Sequence, residues 1–362
     1  MKTIYLTNIP SPYTENRHEL VYKKLSKNYL VIYCAKIEPD RSWKFKKGIY
    51  RKFFLKDSSI KFRKRNIYFG LDIINVLNRE KPNVLILNGL APTMIFAFIW
   101  AKFSNCKIIA STDSNILTER LQRINFIQKL ARILIYPKCD AYIGVSKRTL
   151  KLFEHHGAKA KNKFFVSHYS YPTNKLKNAP IEKRRYDIIL CGQFIKRKLY
   201  DFSIDVIEKI LVKKKDLKVK IVGYGPMKDH IINRLNKSGV TYNYRGFISP
   251  SKLNKEYSSA KLFLFPTEYD GWGVVANEAC ISGTPVITCN NAAVANELII
   301  NKFNGLVLKL NVKLWSNEII KILNNSSKLN LYSKRSSKFV KKFDSTASAK
   351  KMIMAIKYTQ KK

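Results

Sequence analysis

Acidic residues are scarce in this 362-residue chain: 25 Asp and Glu stand against 68 Lys and Arg, a formal net charge of +43. Such an excess leaves two readings open, a compositional habit or a polyanionic neighbour such as nucleic acid, an anionic membrane surface or a phosphorylated substrate. The six cysteines include no Cys-x-x-Cys pair and the five histidines do not cluster, which excludes a disulfide framework or a zinc site read from spacing. His155 and His156 precede Gly157 and read as a polar helix end. No Asp-x-Asp pair occurs anywhere, so the usual carboxylate motif for a divalent metal is absent. The longest apolar stretch, 91–101, is about half of the ~20 residues that span a bilayer. Met1 and Lys2 lead straight into a strand with no secretory leader pattern, so a cytoplasmic, soluble or peripheral protein is expected.

What is present is globular: 46% hydrophobic and 12% aromatic residues, in a length that suits two domains with separate cores. In the N-terminal half, short apolar runs at Ile4–Leu6, Leu30–Cys34, Val84–Leu87, Lys107–Ala110, Ala141–Val145 and Phe164–Val166 read as buried parallel strands. Helical stretches separate them, including Arg17–Ser26, Gly70–Arg79, Pro92–Phe103 and Lys147–His155. A polar, basic seam with Pro172 and Pro180 follows and reads as a linker. The alternation then restarts with strands at Asp187–Cys191, Val219–Val222, Thr241–Arg245, Leu262–Phe265, Val286–Cys289 and Leu306–Leu308. An α/β fold is therefore expected, with an N-terminal Rossmann-like domain at 1–172, a linker at 173–186 and a second Rossmann-like domain at 187–345.

Residues 41–65 hold eleven Lys and Arg against one acid, Asp57, interleaved with Trp43, Phe45, Tyr50, Phe53, Phe54 and Phe62. Cations beside interfacial aromatics suit an anionic bilayer, and the same mix would suit single-stranded nucleic acid.

The most informative stretch is 266–285. It sets Asp270 before a turn of Gly271, Trp272 and Gly273, and places Glu278 in the helix that follows and ends at Gly283. Such a turn leaves backbone N–H groups bare at a helix start, where the helix dipole also favours an anion. Two flanking acids add acceptors for hydroxyl groups. Phosphate donors beside hydroxyl acceptors are what a nucleotide-sugar requires.

This segment resembles the donor-site signature of retaining family 4 glycosyltransferases, whose GT-B fold sets two Rossmann-like domains facing across a cleft. The family pattern is an acid, Gly, aromatic, Gly and a second acid eight positions after the first; the first acid is more often Glu than the Asp270 found here. The resemblance implies that Glu278 accepts from the ribose hydroxyls. Asp270, with the backbone of Gly271, Trp272, Gly273 and Val274, would meet the transferred sugar. It also implies that the last helix, 346–362, packs back on the N-terminal domain.

Further segments extend the resemblance. Gly192 permits a tight turn after the first strand of the second domain. Where the family carries a Gly-Arg start, Gln193 replaces the arginine, so the phosphate role moves to Arg197 and Lys198. Gly223 and Gly225 read as structural. Phe247 falls in the segment whose backbone meets the nucleobase, and is a base contact by resemblance. In the first domain the loop 8–13 has no glycine, leaving Tyr13 as an acceptor-side candidate. Asp113 takes the general position of a family histidine; a role toward the sugar or acceptor and a helix N-cap stand as equal alternatives.

The expectation is thus a retaining glycosyltransferase that moves a sugar from a nucleotide-diphosphate sugar to a hydroxyl of a lipid-linked or polysaccharide acceptor, in capsule, O-antigen or exopolysaccharide assembly. It would work without a metal or cofactor, on the inner face of the plasma membrane, and without nucleic acid. One alternative is a sugar-nucleotide epimerase of the same fold, for which the His and acidic catalytic groups are not found. The other is a basic nucleic-acid-binding protein, which lacks any recognisable reading motif.

Overall fold

Short runs of β-branched and aromatic residues, buried on both faces, form the centre of the chain's first half. The computed structural model describes residues 2–37, 48–56, 59–62, 65–122, 126–159, 163–169 and 179–361. They divide into two units, Met1–Pro172 with Ser345–Lys362, and Thr173–Asp344.

The first unit is built from β1 (Thr3–Thr7), α1 (Pro12–Leu25), β2 (Tyr29–Tyr33), β3 (Arg51–Phe54), β4 (Ser59–Phe62), β5 (Arg65–Tyr68), α2 (Ile73–Glu80), β6 (Val84–Asn88), α3 (Pro92–Phe103), β7 (Lys107–Thr112), α4 (Ile116–Gln122), α5 (Phe126–Ile135), β8 (Ala141–Gly144), α6 (Lys147–His155) and β9 (Phe164–Val166). Seven strands form one sheet in the order β3-β2-β1-β6-β7-β8-β9, all parallel. Alternate residues serve opposite faces: Ile4, Leu6, Leu85 and Leu87 join one core cluster, while Tyr5, Val84 and Ile86 join the other.

The second unit runs β10 (Tyr186–Gln193), α7 (Tyr200–Leu211), β11 (Lys218–Tyr224), α8 (Lys228–Ser238), β12 (Thr241–Tyr244), α9 (Leu253–Tyr257), β13 (Ala260–Phe265), α10 (Val274–Ile281), β14 (Val286–Cys289), β15 (Gly305–Leu308), α11 (Val312–Leu323) and α12 (Ser326–Phe339). Its sheet has the order β12-β11-β10-β13-β14-β15, again all parallel. The chain ends with α13 (Ser345–Gln360), which belongs to the first unit. There Ala349, Met352, Ala355 and Ile356 share a core cluster with Tyr5, Val21 and Tyr29, and the Ser348 hydroxyl meets that of Ser167 at 2.8 Å.

Each sheet reverses strand order once, at β1/β6 and at β10/β13. In doubly wound sheets, ligands bind beyond the strand ends at this point.

Part of the basic segment 41–65 lies within the described residues. Within it, β3 pairs in parallel with β2 as the sheet edge. Tyr50 is buried, its hydroxyl 2.7 Å from that of Tyr33 and donating to Glu15 Oε1 at 2.5 Å. Phe54 stacks on Tyr33, and Arg79 lies over Phe53. Tyr50 is thus a core residue, while Phe53 and Phe54 are half-buried against the unit; Trp43, Phe45 and the side chain of Phe62 lie outside what is described. The cysteines are all free, and every one but the half-buried Cys191 is buried. Among the described residues, no helix is long and apolar enough to cross a membrane.

Candidate functional site

The strand ends at the β10/β13 switch point carry most of the residues singled out in the second half of the sequence. After β10, Gly192 leads to Phe194, a fully buried side chain that fixes the turn. The end of β11 lies against it so closely that a Cβ on Gly223 would fall 2.0 Å from the Gly192 carbonyl oxygen, and one on Gly225 2.6 Å from that of Phe194. Gly223 and Gly225 therefore serve backbone approach.

Past Phe194, Lys196–Lys198 form a short 3-10 turn that leads into α7. The loop after β13 is stapled to this turn: the Glu268 amide donates to the Arg197 carbonyl at 2.8 Å, and the Thr267 hydroxyl donates to the same oxygen at 3.0 Å. Side chains then meet across the staple. Arg197 Nη1 donates to Asp270 Oδ2 at 3.0 Å and to the Tyr269 carbonyl at 3.1 Å; Lys198 Nζ donates to Asp270 Oδ2 at 2.5 Å.

Two cations thus share one carboxylate in a largely buried setting. Burial pushes the Asp270 carboxyl up, but Lys198 and Arg197 more than offset this and hold it below its ordinary value. Lys198 is lowered as well, by burial first, with Asp270 opposing and Arg197 adding repulsion. The carboxylate is doubly compensated and the lysine is not. A cluster with one net positive charge, kept partly from water, favours an anion.

The Gly271–Gly273 turn follows. Gly273 has φ +99, and a Cβ there would lie 2.6 Å from the Phe265 ring, so only glycine fits. It caps α10 without a side-chain hydrogen bond, and its carbonyl accepts the Ala276 amide at 2.8 Å as the helix starts. Trp272 donates its backbone N–H to Asp270 Oδ1 at 3.4 Å. Its indole is buried, donating to Asn277 Oδ1 at 2.7 Å and stacking on Phe343. The side chain is a core anchor, and only its backbone belongs to the turn's polar face. Glu278, one turn into α10, is 5% exposed and accepts from the Tyr257 hydroxyl at 3.2 Å. Its charge raises the Cys191 thiol, after burial itself, which places it beside the end of β10. Phe247 is 42% exposed and meets Tyr224 edge-on, near the ends of β11 and β12.

In the first unit, Tyr13 lies half-buried in the first turn of α1, and Asp113 is exposed just past β7. The cap of α4 is Asn115, whose Oδ1 accepts the Thr118 amide at 3.0 Å, so Asp113 is not the capping residue. Sequence reasoning passed over the neighbours of Asp113. Asn88 bridges Thr7 and Ser111 at 3.0 and 3.1 Å. Tyr169, raised by burial and then by Asp113, lies under the guanidinium of Arg17. No motif marks these residues; only the sheet order brings their strand ends together. Among the described residues, no group of three or more His, Cys, Asp or Glu is gathered as metal ligands would be.

Two units, each with one parallel Rossmann-like sheet, give the GT-B fold. The solved structure of Anabaena HepE in complex with UDP and glucose superposes with a TM-score of 0.76 over 99% of both chains, at 13% identity. Residues 173–339, nearly all of the second unit, match the model of the family described as glycosyl transferases group 1. An uncharacterised glycosyltransferase of Methanocaldococcus jannaschii is 31% identical over 33% of this chain and 30% of its own length. An uncharacterised protein in the cps region of Klebsiella pneumoniae is 26% identical over 40% of this chain and 38% of its own. The chain therefore spans only about a third of the length of these relatives.

Proposed function

We propose that the protein is a retaining glycosyltransferase of family 4 that transfers a hexose or related sugar from a nucleotide-diphosphate sugar to a hydroxyl of a lipid-linked glycan, in the assembly of a bacterial surface polysaccharide. The observation that carries this reading is the half-buried Arg197–Asp270–Lys198 cluster, two cations on one carboxylate, beside the glycine-capped start of α10. The diphosphate is gripped by Arg197, Lys198 and the start of α10, and the backbone of the Gly271–Gly273 turn meets the transferred sugar. Glu278 accepts from the ribose hydroxyls, Phe247 meets the base, and Asp270 orients the cations and faces the sugar. A UDP-type donor is favoured by the likeness to HepE, which was solved with UDP and glucose.

In the reaction the bond from the anomeric carbon to the diphosphate oxygen breaks. A bond from the acceptor oxygen forms on the same face, and the acceptor proton leaves with the diphosphate. Charge builds on the departing oxygens, and preorganised cations and N–H dipoles stabilise it there, work that needs no divalent ion. The first unit binds the acceptor, with Tyr13 and Asp113 at its sheet ends. The similarity to an uncharacterised protein from a Klebsiella cps region supports a place in polysaccharide assembly, and the reading sets that work on the cytoplasmic face of a membrane.

Calorimetric titration with UDP tests the reading. Charge-assisted bonds of about 1.5–3 kcal/mol imply that Lys198→Ala weakens UDP roughly 10- to 150-fold. Unchanged affinity would remove Lys198 from the site.

A further inference from the structure

Helix α5 is amphipathic and carries its apolar stripe on the outside. Phe126, Ile127, Leu130, Ile133 and Leu134 fall on one face by helical spacing, and they are exposed by 77, 72, 42, 46 and 51%. The opposite face turns inward, where Ala131 packs against the core of the first unit and Ile135 is buried. A polar anchor fixes that orientation. Arg132, half-buried, pairs with the buried Glu119, which in turn lies 2.8 Å from the buried His156 Nε2. A surface helix that only covered a core would be turned the other way round. Five apolar side chains on ten residues of exposed helix form a patch that solvent disfavours.

The charge around the patch has one sign. Between 116 and 138 the single acid is the buried Glu119, while Arg120, Lys129 and Lys138 are exposed. Lys102 Nζ donates to the Lys138 carbonyl at 2.6 Å, bringing the last turn of α3 alongside, with Phe103 exposed by 87%.

We propose that α5 and the end of α3 form the surface by which this protein docks on an anionic lipid bilayer. The apolar stripe enters the headgroup boundary and the flanking cations meet lipid phosphates. Charge complementarity selects this occupant over a second copy of the chain, which would set the same cations, within a net charge of +43, against each other. The inference extends the reading of a lipid-linked acceptor and draws its purpose from it, but its geometry is independent of the donor site.

Co-sedimentation of the full chain with phosphatidylcholine vesicles containing a minority of phosphatidylglycerol tests it. The wild type is expected to pellet with them and to bind pure phosphatidylcholine far less. The double variant Ile127→Asp, Leu130→Asp is expected to lose at least about tenfold in partitioning, with its melting temperature and UDP affinity unchanged. Lys129→Glu, a milder change, is expected to cost about fivefold. Undiminished pelleting of the double variant, or no pelleting of the wild type, would overturn the proposal. So would a wild-type dimer in buffer that the double variant converts to monomer. Vesicle binding that persists in a chain with no UDP affinity would instead sink the donor-site reading and leave the docking face standing.

Discussion

Asp270 accepts from both Arg197 and Lys198, and one carboxylate cannot neutralise two cations. On the proposed reading this residual charge is what meets the diphosphate: two partly desolvated cations are already gathered at the strand ends. Glu278 poses a different question, because at 5% exposure with Tyr257 donating to it, it could serve packing alone. If it binds ribose, Glu278→Ala lowers kcat/KM roughly 10- to 150-fold. Tyr257→Phe, which removes the packing partner's hydroxyl only, should leave kcat/KM near normal. Steady-state kinetics of the two variants separate the roles; near-normal transfer by Glu278→Ala would rule out the ribose contact.

At the scale of elements, the decisive device is the turn that feeds α10. Gly273 combines a left-handed φ with a Cβ position inside the Phe265 ring. Gly273→Ala is therefore expected to destabilise the chain by about 1–3 kcal/mol and to weaken UDP at the same time. Thermal unfolding with and without UDP measures both, and an alanine variant of wild-type stability would mean the turn can relax. Such turns were legible in the sequence because glycine positions and helix starts are local properties. The same holds for β1 at Thr3–Thr7, α3 at Pro92–Phe103, α6 at Lys147–His155 and β14 at Val286–Cys289, all bounded by proline, caps or polar breaks. The strands β3, β4 and β5 were not legible, since their lysines and arginines alternate with aromatics and read as a basic patch. Edge strands tolerate such composition because one side faces solvent. Nor could periodicity say which face of α5 turns inward; that depends on Glu119 and His156, 37 residues apart in sequence. The pairing of Asp270 with Arg197, 73 positions away, was hidden for the same reason.

Across the whole molecule, the two units use one architecture for two kinds of polar rim. At the β1/β6 switch point the rim is neutral, with Asn88 joined to Thr7 and Ser111 through amide and hydroxyl groups. At β10/β13 it is cationic. Neutral donors and acceptors suit sugar hydroxyls and cations suit a diphosphate, so the proposed division of labour rests on strand-end chemistry more than on the shared fold. The most direct test is a crystal structure of the full chain soaked with UDP. The account places the diphosphate against Arg197, Lys198 and the first amides of α10, with the ribose at Glu278. Density for UDP at any other surface, or those two cations still bound only to Asp270 with UDP present, would contradict it.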